Sequence, residues 1–395
     1  MHLLILNSGS SSIKYRIYKL PHEHLLASGA VEKIGENSGI ITHAMGEEKN
    51  VSEQRVPDHE AGLHLIADHI QKNVLGDETI AAVGHRVVHG GEYFSKPRIV
   101  TNEVLEKIEA LSVLAPLHNP PNALGIRVAR QVFPEAQQVA VFDTAFHQTL
   151  PSQAYRYPLP QTLYEKHRIR VYGMHGTSHQ YVAEQAAHYL NRSLEATNLI
   201  TIHLGNGCSM TAIRNGESVD TSMGLSPLAG LMMGTRSGDI DPSIPYFLGT
   251  QAGMSFQEID QLLNHESGLK GIAGENDVRS ILEKKDDGSQ EAELALEMYT
   301  YRIKKFIGAY LAVLGRVDAI VFTAGVGENS AYIREKSMEG LTDLGIMLDH
   351  PRNQQASSQV SEIQSEQGKI KVLVIPTNEE LSIAQQTYAL LTKKN

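Results

Sequence analysis

A single cysteine and no tryptophan stand among 395 residues, and neither sign of charge gathers into a long block. One thiol, Cys208, cannot build an intrachain disulfide framework and makes a cysteine-based zinc site untenable. No run approaches the roughly 20 apolar residues of a membrane span. The first apolar run has no basic flank and continues into a hairpin, so no signal peptide is expected. A formal charge of −10 without a Lys/Arg cluster leaves no basic field for nucleic acid. The phosphate-loop pattern G-x-x-x-x-G-K-[ST] is absent, and the first strand does not lead into G-x-G-x-x-G. These absences point to a cytoplasmic protein without nucleic-acid or membrane partners. If it acts on anions, it must place its cations singly.

What is present is ordinary globular composition, 41% hydrophobic and 20% charged, at a length suited to two domains. The organising stretch is Leu3 to Tyr18. Leu3–Leu6 reads as a strand buried on both faces, Asn7–Ser12 as a small polar turn, and Ile13, Tyr15 and Ile17 as the inward residues of a second strand. Outward backbone N–H groups, the hydroxyls of Ser10 and Ser12, and Lys14 suit a phosphate at the tip. The shape returns at Leu199–Arg214, around Gly205-Asn206-Gly207-Cys208-Ser209. Laid on the first hairpin, Leu6, Gly9 and Ser11 fall on Leu204, Gly207 and Ser209, which implies two similar halves facing a cleft.

Between the hairpins, residues 20–60 read as polar and irregular, with strand-like pieces near Ser38–Ala44. Helical spacing covers Ala61–Val74. Ala81–Val88 is a strand that enters Gly90-Gly91, with Arg86 and Val88 on one face, which fits a ligand with a charged head and a small apolar tail. An arginine in a structural salt bridge fits that fragment equally. Glu103–Ala110 reads as a helix and Leu114–Pro121 as a rigid segment that holds Leu117 and His118, followed by a helix over Leu124–Val132. Gln138–Phe142 is a strand ending at Asp143, where ligands and metals gather in α/β folds, although a helix-capping aspartate is the competing reading. The domain boundary is placed near Pro151–Pro160.

Farther on, His175 and His179 stand four apart but lack the third ligand of a zinc site, so Thr177 or Ser178 is expected to cap a helix with His175 in the preceding loop. Arg236, surrounded by turn-prone residues, reads as a functional arginine on a shaped loop. Met223, Met232 and Met233 read as packing residues. Ser255–Leu263 is a helix, Ser267–Asn276 a glycine-rich loop, and Glu291–Leu314 a long amphipathic helix. Asp318–Thr323 is a strand leading through Gly325-Val326-Gly327 to a helix from Ala331, a junction that lets backbone approach a nucleotide. Lys371–Ile375 is a strand, and Glu379 and Glu380 open the closing helix, where acids are also expected for the helix dipole.

Together LNSGSSSIK, GHRVVHGG, LAPLHNP, FDTAFHQT, YGMHGTSH, HLGNGCS, DTSMGLSPLAGLMMGTRSGDIDP, FTAGVGENS and PTNEE resemble the acetate kinase family, within the acetate and sugar kinase, heat-shock chaperone and actin superfamily. The resemblance implies an α/β fold of two duplicated βββαβαβα domains, actin-like or ribonuclease H-like, around an ATP cleft. Residues 1–150 with 380–395 would form the N-terminal domain. Residues 151–379 would form the C-terminal one, for nucleotide binding and dimerisation. It implies a homodimer and Mg²⁺-dependent (or Mn²⁺-dependent) transfer between ATP and acetate, giving ADP and acetyl phosphate.

By the same resemblance, Arg86 and Arg236 hold the carboxylate and the moving phosphoryl group, and His175 contacts that group. Asn7, Asp143 and Glu379 serve the metal. Ser10, Ser12 and Lys14 form the phosphate hairpin, and Asn206 and Gly207 its counterpart. Asp277 and Arg279 flank the adenosine, with Gly325, Gly327 and Asn329 at the glycine turn. Val88, Leu117, Met174 and Pro227 line the methyl pocket, and His118 and His203 have secondary roles near the site. Met174 replaces a usual phenylalanine, residues 271–277 lack the usual serines, and Cys208 and Ala229 replace an alanine and a glutamate. A propionate kinase of the same family is the alternative, and a chaperone or filament ATPase the alternative from another class. The paired arginines, suited to a phosphoryl acceptor, argue against the latter.

Overall fold

The computed structural model describes residues 1–356 and 359–393. They divide into two units, Met1–Phe146 with the segment from Asn378 onward, and His147–Thr377. In the first unit Leu3–Leu6 are at most 1% exposed. A strand buried on both faces belongs inside a sheet. Accordingly β1 (His2–Ser8) lies within an eight-stranded sheet of order β5-β4-β3-β2-β1-β6-β8-β7. Its other strands are β2 (Ser12–Lys19), β3 (His24–Glu32), β4 (Gly39–Met45), β5 (Glu48–Gln54), β6 (Ala82–Val87), β7 (Arg98–Ile99) and β8 (Gln137–Phe142). From β1 to β5 the strands form an antiparallel meander, while β6 pairs parallel with β1 and with β8.

Residues 20–60 are therefore not irregular. They fold as β3, β4 and β5: the strand-like piece near Ser38–Ala44 is β4, while β5, exposed at every residue, is hidden by its polar sequence. Helices α1 (His59–Ile70), α2 (Asn102–Ala110) and α3 (Asn119–Val132) follow. Leu63 and Ile66 of α1 share a core with Val128 of α3 and with Leu4, Leu6 and Ile13. Leu3, Ile5 and Val141 point to the opposite face, where Ile383 and Ala384 of the closing helix (Glu379–Thr392) cover them. The rigid segment expected through Pro121 ends earlier. Asn119 already opens α3, because prolines at positions 120 and 121 fall in its first turn, where no intrahelical N–H bond is lost.

The second unit repeats the plan. Its sheet runs β11-β10-β9-β12-β14-β13, built from β9 (Asn198–Leu204), β10 (Cys208–Arg214), β11 (Glu217–Thr221), β12 (Ala319–Thr323), β13 (Ser361–Glu362) and β14 (Lys371–Val374). Three antiparallel strands, two parallel ones and a two-residue antiparallel edge match β3-β2-β1-β6-β8-β7. The two hairpins nevertheless differ. Ser8 pairs with Ile13 and leaves four residues at the first tip, whereas Leu204 pairs with Cys208 and leaves three at the second. The alignment of Ser11 with Ser209 fails for this reason: Ser11 lies in the first tip, but Ser209 is inside β10, opposite His203.

Helices α4 (Ser152–Tyr155), α5 (Gln161–His167) and α6 (Gly176–Tyr189) precede this sheet. Between β11 and β12 come α7 (Ser243–Gln251), α8 (Phe256–His265), α9 (Gly268–Ala273), α10 (Val278–Asp286) and α11 (Gln290–Leu314). After β12 come α12 (Ala324–Asn329), α13 (Ala331–Met338) and α14 (His350–Gln354). Residues 267–276, expected as a loop, contain α9. The sequence reading also missed α7, whose residues are all at least partly exposed and carry no amphipathic signature.

Candidate active site

In the first unit β6 delivers Arg86 to the carboxyl end of the sheet, beside Asp143 at the end of β8. Arg86 Nη2 donates to Asp143 Oδ2 at 2.5 Å, and its Nε stands 3.8 Å from Glu379 Oε2. That Nε is buried without a hydrogen-bond acceptor among the described residues. Burial alone would lower the guanidinium's pKa. The carboxylates of Asp143 and Glu379 outweigh it and hold the value above the ordinary range. Burial, opposed by Arg86 and aided by the negative Asp143, pushes the Glu379 carboxyl up to about 7, although its side chain keeps 22% of its surface exposed. Glu380, the next acid, lies 3.7 Å from Arg16, and Asn378 caps the helix by accepting from Leu381 N–H.

Asn119 and Asn122 were not foreseen. Asn122 Oδ1 accepts from Val88 N–H while its Nδ2 donates to Ser8 C=O, tying the end of β6 to the end of β1. Asn119 accepts from His89 N–H and donates to His89 C=O. Both are nearly completely buried. The available signal was their spacing of three on an otherwise apolar helix face. Gly125, one turn on, brings the α3 backbone so near β1 that an added Cβ would stand 2.2 Å from Ser8 Oγ.

Asn7 pairs with Lys14 across the hairpin, so Asn7 belongs to β1 and Lys14 points from β2 into solvent. Ser10 is exposed and Ser12 half-buried, and His59 Nε2 anchors the tip through Gly9 C=O at 2.8 Å. Val88 is buried, whereas Leu117, on the turn before α3, is 63% exposed. His118 is the N-cap residue of α3. The acids, Arg86 and Asn7 all belong to this one unit.

The second unit gathers a different set. His175 is the N-cap residue of α6, held in a left-handed conformation at φ 56°, sparsely populated for a residue with a Cβ. Thr177 and Ser178 thus lie within the helix and do not cap it. Ser178 Oγ instead bonds His203 Nδ1 and Thr377 Oγ1, each at 2.8 Å. The His203 ring stacks on His175 at 4.2 Å between centroids. Arg236 lies on the long loop before α7, anchored by buried Leu231, Met232 and Met233. Gly268 permits this anchoring: at φ +63° it touches the backbone, and a Cβ would stand 2.6 Å from Arg236 O.

Arg236 differs from Arg86 in its partners. Nη1 donates to Pro227 C=O at 3.3 Å and lies 3.8 Å from Met233 Sδ, and no described carboxylate pairs with it. Burial lowers its pKa. A cation so placed has lost water without gaining a counter-ion. Gly207 marks the opening beside it. A Cβ built there would be 3.4 Å from Arg236 Nη1 and 3.5 Å from His175 Nε2, so both groups line the space that glycine leaves.

Next to this opening lies a cavity of about 600 Å³ walled by Gly205, Asn206, Asp277, Arg279, Gly325 and Asn329 among others. Asp277 caps α10 and takes a two-pronged contact from Arg279, through Nε at 3.1 Å and Nη2 at 2.7 Å. Those bonds hold its carboxyl down at about 2. Gly325 and Gly327 are not in a turn that precedes a helix but inside α12. Arg334, absent from the sequence reading, secures that short helix. Its buried guanidinium donates to the carbonyls of Gly327, Glu328 and Asn353, groups that a helix end leaves without partners. Met174 is buried and Pro227 half-buried, both in this unit.

This duplicated mixed sheet, with hairpins and helix starts at its functional end, is the actin-like ATPase fold of acetate and sugar kinases. The acetokinase family profile matches residues 2–385. The chain is 51% identical over 399 residues to an acetate kinase of Helicobacter pylori (strain Shi470), covering 100% of both. Among solved structures, a Porphyromonas gingivalis acetate kinase superimposes with a TM-score of 0.95 at 43% identity, over 99% of this chain and 100% of that one. A propionate kinase from Francisella tularensis gives 0.93 at 45% identity, over 98% of each. The chain belongs to the acetokinase family.

Proposed function

We propose that this member of the acetokinase family, a phosphotransferase with a carboxyl group as its acceptor, catalyses reversible transfer of the ATP γ-phosphoryl group to acetate, giving acetyl phosphate and ADP directly and in line. The observation that carries the reading is Arg236, a half-buried cation without a carboxylate partner among the described residues, converging with His175 Nε2 on the space left by Gly207. A short carboxylic acid, with a pKa near ~4–5, is already ionised at neutral pH, so its attack needs no general base. The difficulty is bringing one anion onto another, and preorganised donors supply what is missing. Arg236 and His175 are assigned to the transferring phosphoryl group and Arg86 to the acetate carboxylate. Asn206 and Gly207, with Ser10, Ser12 and Lys14, are assigned to the phosphates, and the cavity by Asp277 and Arg279 to the adenosine.

Asp143, Glu379 and Asn7 would hold Mg²⁺. Among the described residues no group of three His, Cys, Asp or Glu side chains could hold a metal. Two carboxylates and an amide still suit an ion that keeps most of its waters and takes phosphate oxygens. The raised Glu379 carboxyl, crowded by Asp143, is a site that a divalent cation would relieve. When bound, the ion would neutralise phosphate charge.

Val88, Leu117, Met174 and Pro227 are assigned to the acyl chain. Met174, flexible where a phenyl ring would be stiff, favours a second reading in which propionate is also accepted. One methylene is worth about 1–3 kcal/mol, so propionate is expected to lose about tenfold in kcat/KM. A hydroxamate assay for acyl phosphate across formate, acetate, propionate and butyrate tests the function. No acyl phosphate from any acid would overturn it, and a propionate preference would select the second reading. A homodimer is also proposed, supported by Ile244, Tyr246, Phe247 and Phe256, which leave 39–90% of their surface exposed on the contacting helices α7 and α8. Sedimentation equilibrium giving a monomer at micromolar concentration would refute it.

A further inference from the structure

Behind His175 runs a chain of hydrogen bonds that none of the residue assignments above uses. His175 Nδ1 meets Ser209 Oγ at 2.9 Å, Ser209 Oγ meets His179 Nε2 at 2.7 Å, and His179 Nδ1 meets Thr201 Oγ1 at 2.7 Å. Ser209, His179 and Thr201 are all 0% exposed. Three elements contribute: α6 and its N-cap carry the two histidines, β10 the serine and β9 the threonine.

The chain has two proton arrangements. In one, Thr201 donates to His179 Nδ1, His179 Nε2–H donates to Ser209, and Ser209 donates to His175 Nδ1. In the other every bond is reversed, and the Thr201 hydroxyl proton is left to find another acceptor. Thr201 Oγ1 has no hydrogen-bond partner among the described residues except His179. A buried donor without an acceptor is costly, whereas an acceptor with a spare lone pair is tolerated better. His179 does not escape by taking a second proton, because burial, reinforced by His147 and His203, holds it neutral. The first arrangement leaves every donor in the chain satisfied.

We infer that Thr201, His179 and Ser209 act together as positioning residues that fix His175 as the neutral tautomer with its proton on Nε2. That N–H is the one aimed at the opening beside Gly207, 3.5 Å from where a Cβ would stand, with Arg236 Nη1 on the other side. A ring fixed this way donates without being charged. Protonating Nδ1 would force Ser209 to turn its proton away, leaving that buried hydroxyl without its acceptor unless His179 also changes tautomer and Thr201 loses its acceptor instead, so either route strands one buried donor. Within its unit His203 stacks on the His175 ring, His179 lies beyond Ser209, and Arg236 Nη1 flanks the same opening. The kinetic consequence of the inference rests on assigning His175 to the phosphoryl group, but the tautomer does not.

The test uses the full chain labelled with ¹⁵N in its histidine rings, with long-range ¹H–¹⁵N correlation and the His175 signal identified by its loss in His175→Gln. At pH 7, without substrate, His175 should show a protonated Nε2 and a bare Nδ1. A protonated Nδ1, alone or in an imidazolium, overturns the inference. Thr201→Val removes only the terminal donor, far from any reacting atom, and keeps the side-chain shape. It should shift the His175 ring toward a mixture of tautomers, and an unchanged His175 spectrum would show that no relay exists. Ser209→Ala should lower kcat about tenfold with KM within about twofold, and Ser209→Thr should recover most of the loss by restoring the hydroxyl. Equal losses in the two Ser209 variants would make the hydroxyl irrelevant. A wild-type protein that shows the Nε2–H form yet makes no acyl phosphate would refute the kinase reading alone.

Discussion

Arg86 stands near the end of a strand in the first sheet and Arg236 on a loop beside the hairpin of the second, and their surroundings are opposite. Arg86 has two carboxylates within 4 Å, one of them only 1% exposed. Arg236 has a carbonyl and a sulfur. The first cation is compensated by carboxylates of its own chain, the second by none among the described residues. The two units share a scaffold while their electrostatics differ: carboxylates surround the arginine of one, and no described carboxylate meets the arginine of the other.

The comparison is sharpest when each arginine is removed. Arg86→Ala and Arg236→Ala should both cut acetyl phosphate synthesis at least about a hundredfold, the scale of a lost transition-state donor. Their stabilities should separate. Losing Arg86 takes the nearest cation from a buried Asp143 and should cost about 3 kcal/mol in urea unfolding, the low end for a broken buried pair. Losing Arg236 removes a half-buried cation with no described carboxylate partner and should leave stability unchanged or higher. Equal stability losses in the two variants would erase the distinction.

Asp143→Asn should weaken turnover by a smaller factor, and raising the magnesium concentration should restore part of it. A loss indifferent to magnesium would leave Asp143 as the partner of Arg86 alone. Gly207→Ala comes next. Its Cβ would make ordinary contacts of 3.4–3.5 Å, so the fold should hold, yet the methyl fills the space between Arg236 and His175. About a tenfold fall in kcat/KM is expected, the effect of a small misplacement at the reacting centre. Wild-type kinetics would move the phosphoryl site away from the second hairpin.

The smallest effect separates the units by pH. Burial, then the neighbouring His69, pulls His43 down to about 4 from its ordinary 6.5. The two rings stack at 3.6 Å, and Tyr15 O–H bonds His43 Nδ1. A histidine whose folded pKa lies below its unfolded one adds stability that is complete above about 6.5 and is lost as pH falls toward 4. His43→Gln should therefore show a shallower fall in Tm between pH 7.5 and 5 than the wild type. Parallel curves would place His43 outside the acid sensitivity of its unit.

Much of this was legible because the chemistry sits in short, glycine-punctuated segments. Leu3–Leu6 and Asp318–Thr323 announce central strands by being wholly apolar, and GTRSGDIDP has too many turn residues to hide its arginine. The hidden parts share a physical reason. β5 is exposed at every residue, so nothing in its pattern marks it. Asn119 and Asn122 look like turn residues, and only the fold shows that they bridge two strand ends. Arg334 drew no notice, because its acceptors are carbonyls that the sequence does not display. Ser209 was noticed as a step in a hairpin alignment that loop length overturns, and its hydroxyl takes on meaning only when His175 and His179 arrive from another element.

The exposed strand β5 has a consequence for the protein in a crowded solution. It forms the outer boundary of the larger sheet, and its free backbone edge could accept a strand from another molecule. Glu48, Lys49 and Glu53 line that margin, and a second chain laid along it would have to strip water from these charges. At the opposite margin β7 spans only two residues, too short to template anything. The molecule thus carries a wide sheet in solution while offering its neighbours no comfortable place to extend it.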